Sequence, residues 1–269
     1  HSEVGMGAII GAPLMLSTVA LFVMGVAALG FRGRRGRIAL SVPRTDARRD
    51  LAFFLPVFAA TLLLGMAGLP PIARYVLGAI LLAVYASYAV AILKLKRDAE
   101  TSVEHGLYLE RLLGGNPSDP RGRATILQVL LGTIAIVLGA YIFVDQIVLF
   151  SRHANLNPGV LSLILSPLAT ELPEKYNAVV WIRQSKDNLA LANITGAMVF
   201  QSCIPVALGL AFTPWHLSSP ELLGGAIAIF SAALLYLNLR DGELGTPTLL
   251  VGGVAYAAFI AGLRWLGAL

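Results

Sequence analysis

Apolar residues along this chain fall into long unbroken runs, approximately 7–30, 51–69, 72–93, 125–150, 158–182, 189–212, 221–239 and 246–267. Each reaches the ~20 residues that cross about 30 Å of hydrocarbon as a helix. The runs are continuous and do not alternate, which excludes the strands of a membrane β-barrel. The pattern therefore predicts an all-α, polytopic transmembrane bundle of about eight spanning helices.

The polar gaps between the runs alternate in character. The first, Phe31 to Asp50, holds Arg32, Arg34, Arg35, Arg37, Arg44, Arg48 and Arg49. The third, Lys94 to Arg123, holds Lys94, Lys96, Arg97, Arg111, Arg121 and Arg123. The fifth has Arg183 and Lys186, and the seventh has Arg240. The second gap is a short one at Pro70 and Pro71, the fourth has only Arg152, and the sixth, Thr213 to Pro220, has no basic residue. Lysine and arginine accumulate in cytoplasmic loops. The odd-numbered connections are thus expected in the cytoplasm, with sixteen of the twenty basic residues, and both ends of the sequence outside. This places the chain in a cell (inner) membrane. The third connection mixes Val103, Leu107, Leu109, Leu112 and Leu113 with charges, which suits either a helix lying on the interface or a solvated linker. Asn116 to Gly122 reads as a loop from its prolines and glycine. The expected organisation is residues 1–93 as part of a first half, 94–124 as a cytoplasmic connection and 125–269 as a second half.

Composition supports the same class. Of 269 residues, 57% are hydrophobic and 13% charged, with a mean hydropathy of +0.77. Soluble chains average about 25% charged residues. The net charge of +5 sits in the gaps between spans, not in a patch for a polyanion, so nucleic acid is not an expected partner. Cys203 is the only cysteine and the four histidines are scattered, which leaves no cysteine cluster or histidine metal motif. The sequence opens His1-Ser2-Glu3 with no basic stretch before its first apolar run. A signal peptide is a poor reading of that start, and processing or further upstream sequence is the expectation.

A short repeat is visible. Gly7 to Ser17 lines up with Ala192 to Ser202, with identities at Ile9/Ile194, Gly11/Gly196, Ala12/Ala197 and Ser17/Ser202. The two copies cross the membrane in opposite senses. Inverted repeats with a midplane site between them characterise secondary transporters.

The chemistry lies inside the bilayer. The run 158–182 contains Ser166-Pro-Leu-Ala-Thr-Glu-Leu-Pro-Glu-Lys-Tyr-Asn177, with Glu171, Glu174 and Lys175 near its middle. Each charge at a helix centre costs ~2.5–3.5 kcal/mol if it faces lipid, so these three must face the interior, pair, or line a wet cavity. Pro167 and Pro173 remove backbone donors and break the helix here, freeing carbonyl oxygens that suit a hard cation. On an intact helix Glu171 and Lys175 would stand four apart and pair, leaving Glu174 as the available acid. In the next run Asn193, Ala197 and Gln201 share one stripe, and Gly196 and Ala197 suit close helix approach. Gln201, near Pro205, is a site candidate. Asp145 and Gln146 read as interface anchors, and Tyr85, Tyr88 and Tyr141 as packing or interfacial residues.

Thr170-Glu-Leu-Pro-Glu174, followed by Asn193-Ile-Thr-Gly-Ala-Met-Val-Phe-Gln201, resembles the second α-repeat of the sodium/calcium exchanger family, within the cation/calcium exchanger superfamily. Gly7 to Leu16 is similar to the second half of that family's first repeat. The resemblance implies a ten-helix fold of two inverted halves, of which this chain matches helices three to ten, so missing N-terminal helices or partner subunits are implied. It implies ion ligation by Glu174, Thr170 and Gln201, with Glu171 where the family has a serine. Glu174 and Gln201 would be the metal ligands, for calcium or sodium. Lys175, Asn177, Asn193 and Ser202 would support them. The sequence departs from the family pattern at Ala197, Ala12 and Leu16, and Lys175 adds a fixed charge.

The resemblance implies a secondary active cation antiporter working by alternating access around these carboxylates, with calcium, sodium or protons as transported ions and no bound cofactor. A proton-coupled exchanger and a transport-inactive membrane subunit or scaffold are the alternatives. The expected partners are the lipid bilayer and the cations themselves. No Ser/His pair, paired aspartates or His-Glu-x-x-His motif stands at membrane depth, so an enzyme is not expected.

Overall fold

The structure is a computed structural model and describes residues 2–42, 45–96, 122–239 and 242–269. The interfacial segment considered at 103–113 and the loop at 116–121 lie outside the described residues. Among those described, seven helices are long and apolar enough to cross a membrane. The first span is α1 (Ser2–Met15), a π-helical turn (Leu16–Ala20) and α2 (Leu21–Gly30) in continuous succession. A short α3 (Arg32–Arg35) and strand β1 (Leu40–Ser41) follow. Next come α4 (Thr45–Met66), α5 (Pro71–Lys96) and α6 (Gly122–Ala154). The run expected at 158–182 arrives as two helices, α7 (Pro158–Thr170) and α8 (Leu172–Arg183). The chain ends with α9 (Asp187–Phe212), α10 (Ser219–Asn238), β2 (Glu243–Leu244) and α11 (Thr246–Trp265).

Two central spans organise the bundle. The α1–α2 span packs on α10 and α11, while α9 packs on α4 and α5. Each central span therefore lies against two helices from the other part of the sequence. The closest packing in the bundle joins α1 to α7. A Cβ at Gly7 would stand 2.2 Å from the Gly159 carbonyl oxygen, and one at Gly11 would stand 2.4 Å from that of Leu163. Small residues let helix backbones meet where lipid offers no hydrophobic drive to associate. Ser162 adds a polar tie, donating to the Val4 carbonyl at 2.7 Å. Ser162→Ala is expected to lower stability by about 1 kcal/mol, as for one buried hydrogen bond, read as a small fall in the unfolding midpoint in detergent. Gly196 does not follow the same logic. Nothing stands within 4 Å of a Cβ built there, so the close approach expected at Gly196 is not made. The helices packed on α9 cover its other sides.

The connections gather as the alternation of charge suggested. β1 pairs antiparallel with β2, Leu40 opposite Leu244 and Ser41 opposite Glu243, which brings the first and seventh connections together. Asp187, where the fifth connection meets α9, binds Arg35 and Arg37 from the first. At the other end of the bundle Arg74 of α5 donates to the Thr213 carbonyl, and Trp215 donates to that of Thr61 at 3.2 Å. Trp215 is 1% exposed and seats its ring over Gly209.

The span α6 stands apart. Its apolar window has 0% of its residues buried. Among the described residues its apolar packing on the bundle comes near its C-terminal end, where Ile147 packs with Val4 and Leu161.

Candidate functional site

The helix break produces the site. Pro173 has no N–H for the carbonyl of Ala169 four residues back, and Pro167 lies in the last turns of α7. The chain leaves helical geometry at Glu171, with φ −94° and ψ 10°, where it ends α7 and precedes α8. Glu171 is 5% exposed. The Gln201 amide nitrogen, on α9, donates to Glu171 Oε1 at 2.7 Å. The Thr170 hydroxyl donates to the same oxygen at 3.2 Å. Three of the four predicted ligand residues thus meet around one carboxylate. Glu174, on the first turn of α8, is near enough to Glu171 for their charges to interact.

Two buried acceptors at this place have no hydrogen-bond partner, Oε2 of Glu174 and Oε1 of Gln201. A buried oxygen without a donor is a costly arrangement in protein, and more so at membrane depth. Gln201 meets Glu171 through a hydrogen bond and Glu174 through charge, so the orphaned oxygens belong to an acceptor-rich group in which a cation is the natural complement. Among the described residues no group of three or more His, Cys, Asp or Glu side chains is placed to hold a metal. The set on offer is therefore two carboxylates plus amide, hydroxyl and carbonyl oxygens, which suits a hard cation and no soft one.

Lys175 corrects one expectation. No ion pair forms between Lys175 and Glu171 among the described residues. The i,i+4 rule requires an unbroken helix, and Glu171 is the non-helical joint. The Lys175 ammonium turns instead to the carbonyls of Pro167 and Leu168, at 3.4 and 3.5 Å, and is buried there. The supporting positions separate. Asn177 is exposed on α8. Ser202 is fully buried but donates to the Val199 carbonyl of its own helix at 2.8 Å. Asn193 is half-buried, with its amide nitrogen unpartnered. Leu16, in the first-repeat position where the family carries a polar ligand, is 0% exposed within the apolar core.

Sequence reasoning missed two polar clusters. Tyr88 of α5 donates to Asp50 of α4, and the Thr195 hydroxyl of α9 donates to the other Asp50 oxygen at 2.7 Å. Arg49 approaches the same carboxylate at 3.7 Å. Tyr88 thus has a polar role beyond packing. Asp50 escaped notice because α4 begins at Thr45, upstream of the apolar run that opens at residue 51. The second cluster is Asp187 with Arg35 at 2.7 Å, Arg37 at 3.0 Å and the Ser41 backbone N–H at 3.0 Å. A pairing across 152 positions leaves no local signal beyond the arginine excess itself.

Fold and site together define a polytopic helical membrane protein with a proline-broken span that turns carboxylates inward. The family model for the sodium/calcium exchanger protein matches residues 124–266, over half of the chain, and this protein belongs to that family. Among curated relatives it is 25% identical over 197 residues to the inner membrane protein YrbG of Escherichia coli (strain K12), covering 70% of this chain and 59% of YrbG. It is 27% identical over 128 residues to the sodium/calcium exchanger MaX1 of Methanosarcina acetivorans, covering 48% of this chain and 35% of MaX1. The chain spans about half the length of the curated relatives it matches. Among solved structures, that of the H+/Ca2+ exchanger CAX aligns with a TM-score of 0.73 at 16% identity, over 98% of this chain and 65% of CAX. That likeness shows the fold.

Proposed function

We propose that this protein is a secondary active cation antiporter that moves calcium against sodium or protons by alternating access around Glu171 and Glu174. The observation that carries the reading is the pair of orphaned buried acceptors, Glu174 Oε2 and Gln201 Oε1, beside a carboxylate at a broken transmembrane helix. Membership of the exchanger family supports it, as do the exchange activities for which MaX1 and CAX are named. Thr170 and Gln201 orient Glu171 and supply further oxygens. Calcium takes about 6–8 oxygen ligands, so water, freed carbonyls or groups beyond those described complete the shell. The bundle end that gathers Arg35, Arg37 and Asp187 faces the cytoplasm in this reading, following the basic-residue asymmetry. The membrane is a cell (inner) membrane.

The test is calcium flux into proteoliposomes of the purified chain, driven by a sodium or a proton gradient, for the wild type and Glu174→Gln. The wild type is expected to move calcium. The variant is expected to fall at least about tenfold, because a lost charged ligand outweighs the ~1.4 kcal/mol that a factor of ten represents. Wild-type flux no greater than that of empty vesicles would overturn the reading and leave a transport-inactive membrane subunit that keeps the fold. Undiminished flux in Glu174→Gln would remove this carboxylate from the mechanism.

A further inference from the structure

We infer that the Lys175 ammonium is a tethered monovalent cation, filling the carbonyl cradle at the α7–α8 break that a free sodium ion would otherwise occupy. The inference rests on the exchanger reading for its meaning in transport, but its geometry stands alone. Lys175 is 6% exposed, and its nitrogen lies 3.4 Å from the Pro167 carbonyl oxygen and 3.5 Å from that of Leu168. Those oxygens sit at the C-terminal end of α7, where the helix dipole favours positive charge. Pro173 withholds a backbone donor from the Ala169 carbonyl at the same break, while the Pro167 carbonyl, which accepts the Glu171 N–H at 3.1 Å, is shared with the Lys175 ammonium.

Among the described residues neither glutamate lies within ion-pair distance of Lys175, although its charge acts on both. The lysine therefore supplies a charge of +1 and directs two of its three donors at backbone oxygens, which is the electrostatic part a bound sodium ion plays. It leaves Glu171 and Glu174 facing the cargo. Because the charge is covalently attached it cannot leave, so transport proceeds with no sodium ion entering at this position. The lysine is a specificity-determining residue that restricts the exchange to the cation held by the two carboxylates.

The test compares the wild type, Lys175→Gln and Lys175→Arg as purified full chains, with sodium chloride replacing choline chloride at constant ionic strength. Thermal unfolding and retention of radioactive sodium report binding, and proteoliposome calcium flux reports transport. Sodium is expected to raise the unfolding midpoint of Lys175→Gln saturably and to stimulate its flux several-fold. The wild type and Lys175→Arg are expected to lack this added sodium response, beyond any sodium that exchanges at the two carboxylates. If Lys175→Gln folds only when sodium is present, the inference is supported. It is overturned if Lys175→Gln is as indifferent to sodium as the wild type. It is equally overturned if the wild type retains as much sodium as Lys175→Gln, or if Lys175→Gln fails to fold at every sodium concentration while Lys175→Arg folds. Sodium binding confined to Lys175→Gln, with no calcium flux in any form, would sink the exchanger reading and keep the tethered cation.

Discussion

Gly11→Leu is expected to yield no monodisperse protein after extraction from the membrane. A Cβ at Gly11 would stand 2.4 Å from the Leu163 carbonyl oxygen and 2.6 Å from Cγ of Pro167. Neither group is the loose end of a flexible side chain. One is helix backbone and the other is a ring fixed to it. Leucine places three further carbons beyond that clash, and the neighbouring contact of Gly7 with Gly159 blocks a small sideways shift. Overpacking a core costs about 1–3 kcal/mol when side chains can yield, and this site lies beyond that range because they cannot. The effect reaches the site directly, since Pro167 lies in the turn that leads to Glu171. Gly5→Leu is the control, as nothing lies within 4 Å of a Cβ there. Size-exclusion profiles and unfolding midpoints of the two variants check the prediction, and a Gly11→Leu protein that behaves like Gly5→Leu would refute it.

Asp187→Ala is expected to destabilise the protein by about 3–5 kcal/mol, the usual consequence of removing one partner from a buried ion pair. Both side chains of the Arg35–Asp187 pair are 0% exposed. The substitution leaves the Arg35 guanidinium buried with only the distant carbonyls of Arg37, Ile38 and Ala39 at 3.4–3.5 Å. It also strips an acceptor from the Ser41 N–H, which lies in the strand paired with β2. Unfolding in detergent should therefore shift strongly to lower temperature. The double variant Arg35→Met with Asp187→Ala should recover part of the loss, because exchanging a whole buried pair for apolar groups is often neutral. A double variant less stable than Asp187→Ala would show that the arginine has another partner of equal weight.

Much of the fold was legible because a bilayer imposes few choices. Long apolar runs can only be helices there, and the eight runs map onto seven continuous spans and the pair α7–α8. The break was legible for the same reason, since Pro167 and Pro173 bracket Glu171 and proline chemistry is local. The meeting of Glu171 with Gln201 followed from placing both at mid-membrane depth on adjacent runs. The pairing of Glu171 with Lys175 failed where the same break was not carried through, because a spacing rule was applied across a joint. The Asp50 and Asp187 clusters were illegible. The first unites three separate parts of the chain and the second unites two, at the ends of runs, where hydropathy is silent about which charge goes where. Membership of the exchanger family adds a framework for the proposed ion site, which rests on the orphaned oxygens of Glu174 and Gln201.

The isolation of α6 has a mechanical consequence. Its candidate span of 29 residues extends about 43 Å at 1.5 Å per residue, against roughly 30 Å of bilayer hydrocarbon. Among the described residues its packing on α1 and α7 lies near its C-terminal end, and the mismatch is accommodated by leaning or by lifting an end among the headgroups. A thinner membrane leans it further and a thicker one stands it up. With little of its apolar surface buried in the bundle, the tilt of this helix responds to acyl-chain length more readily than that of the packed spans.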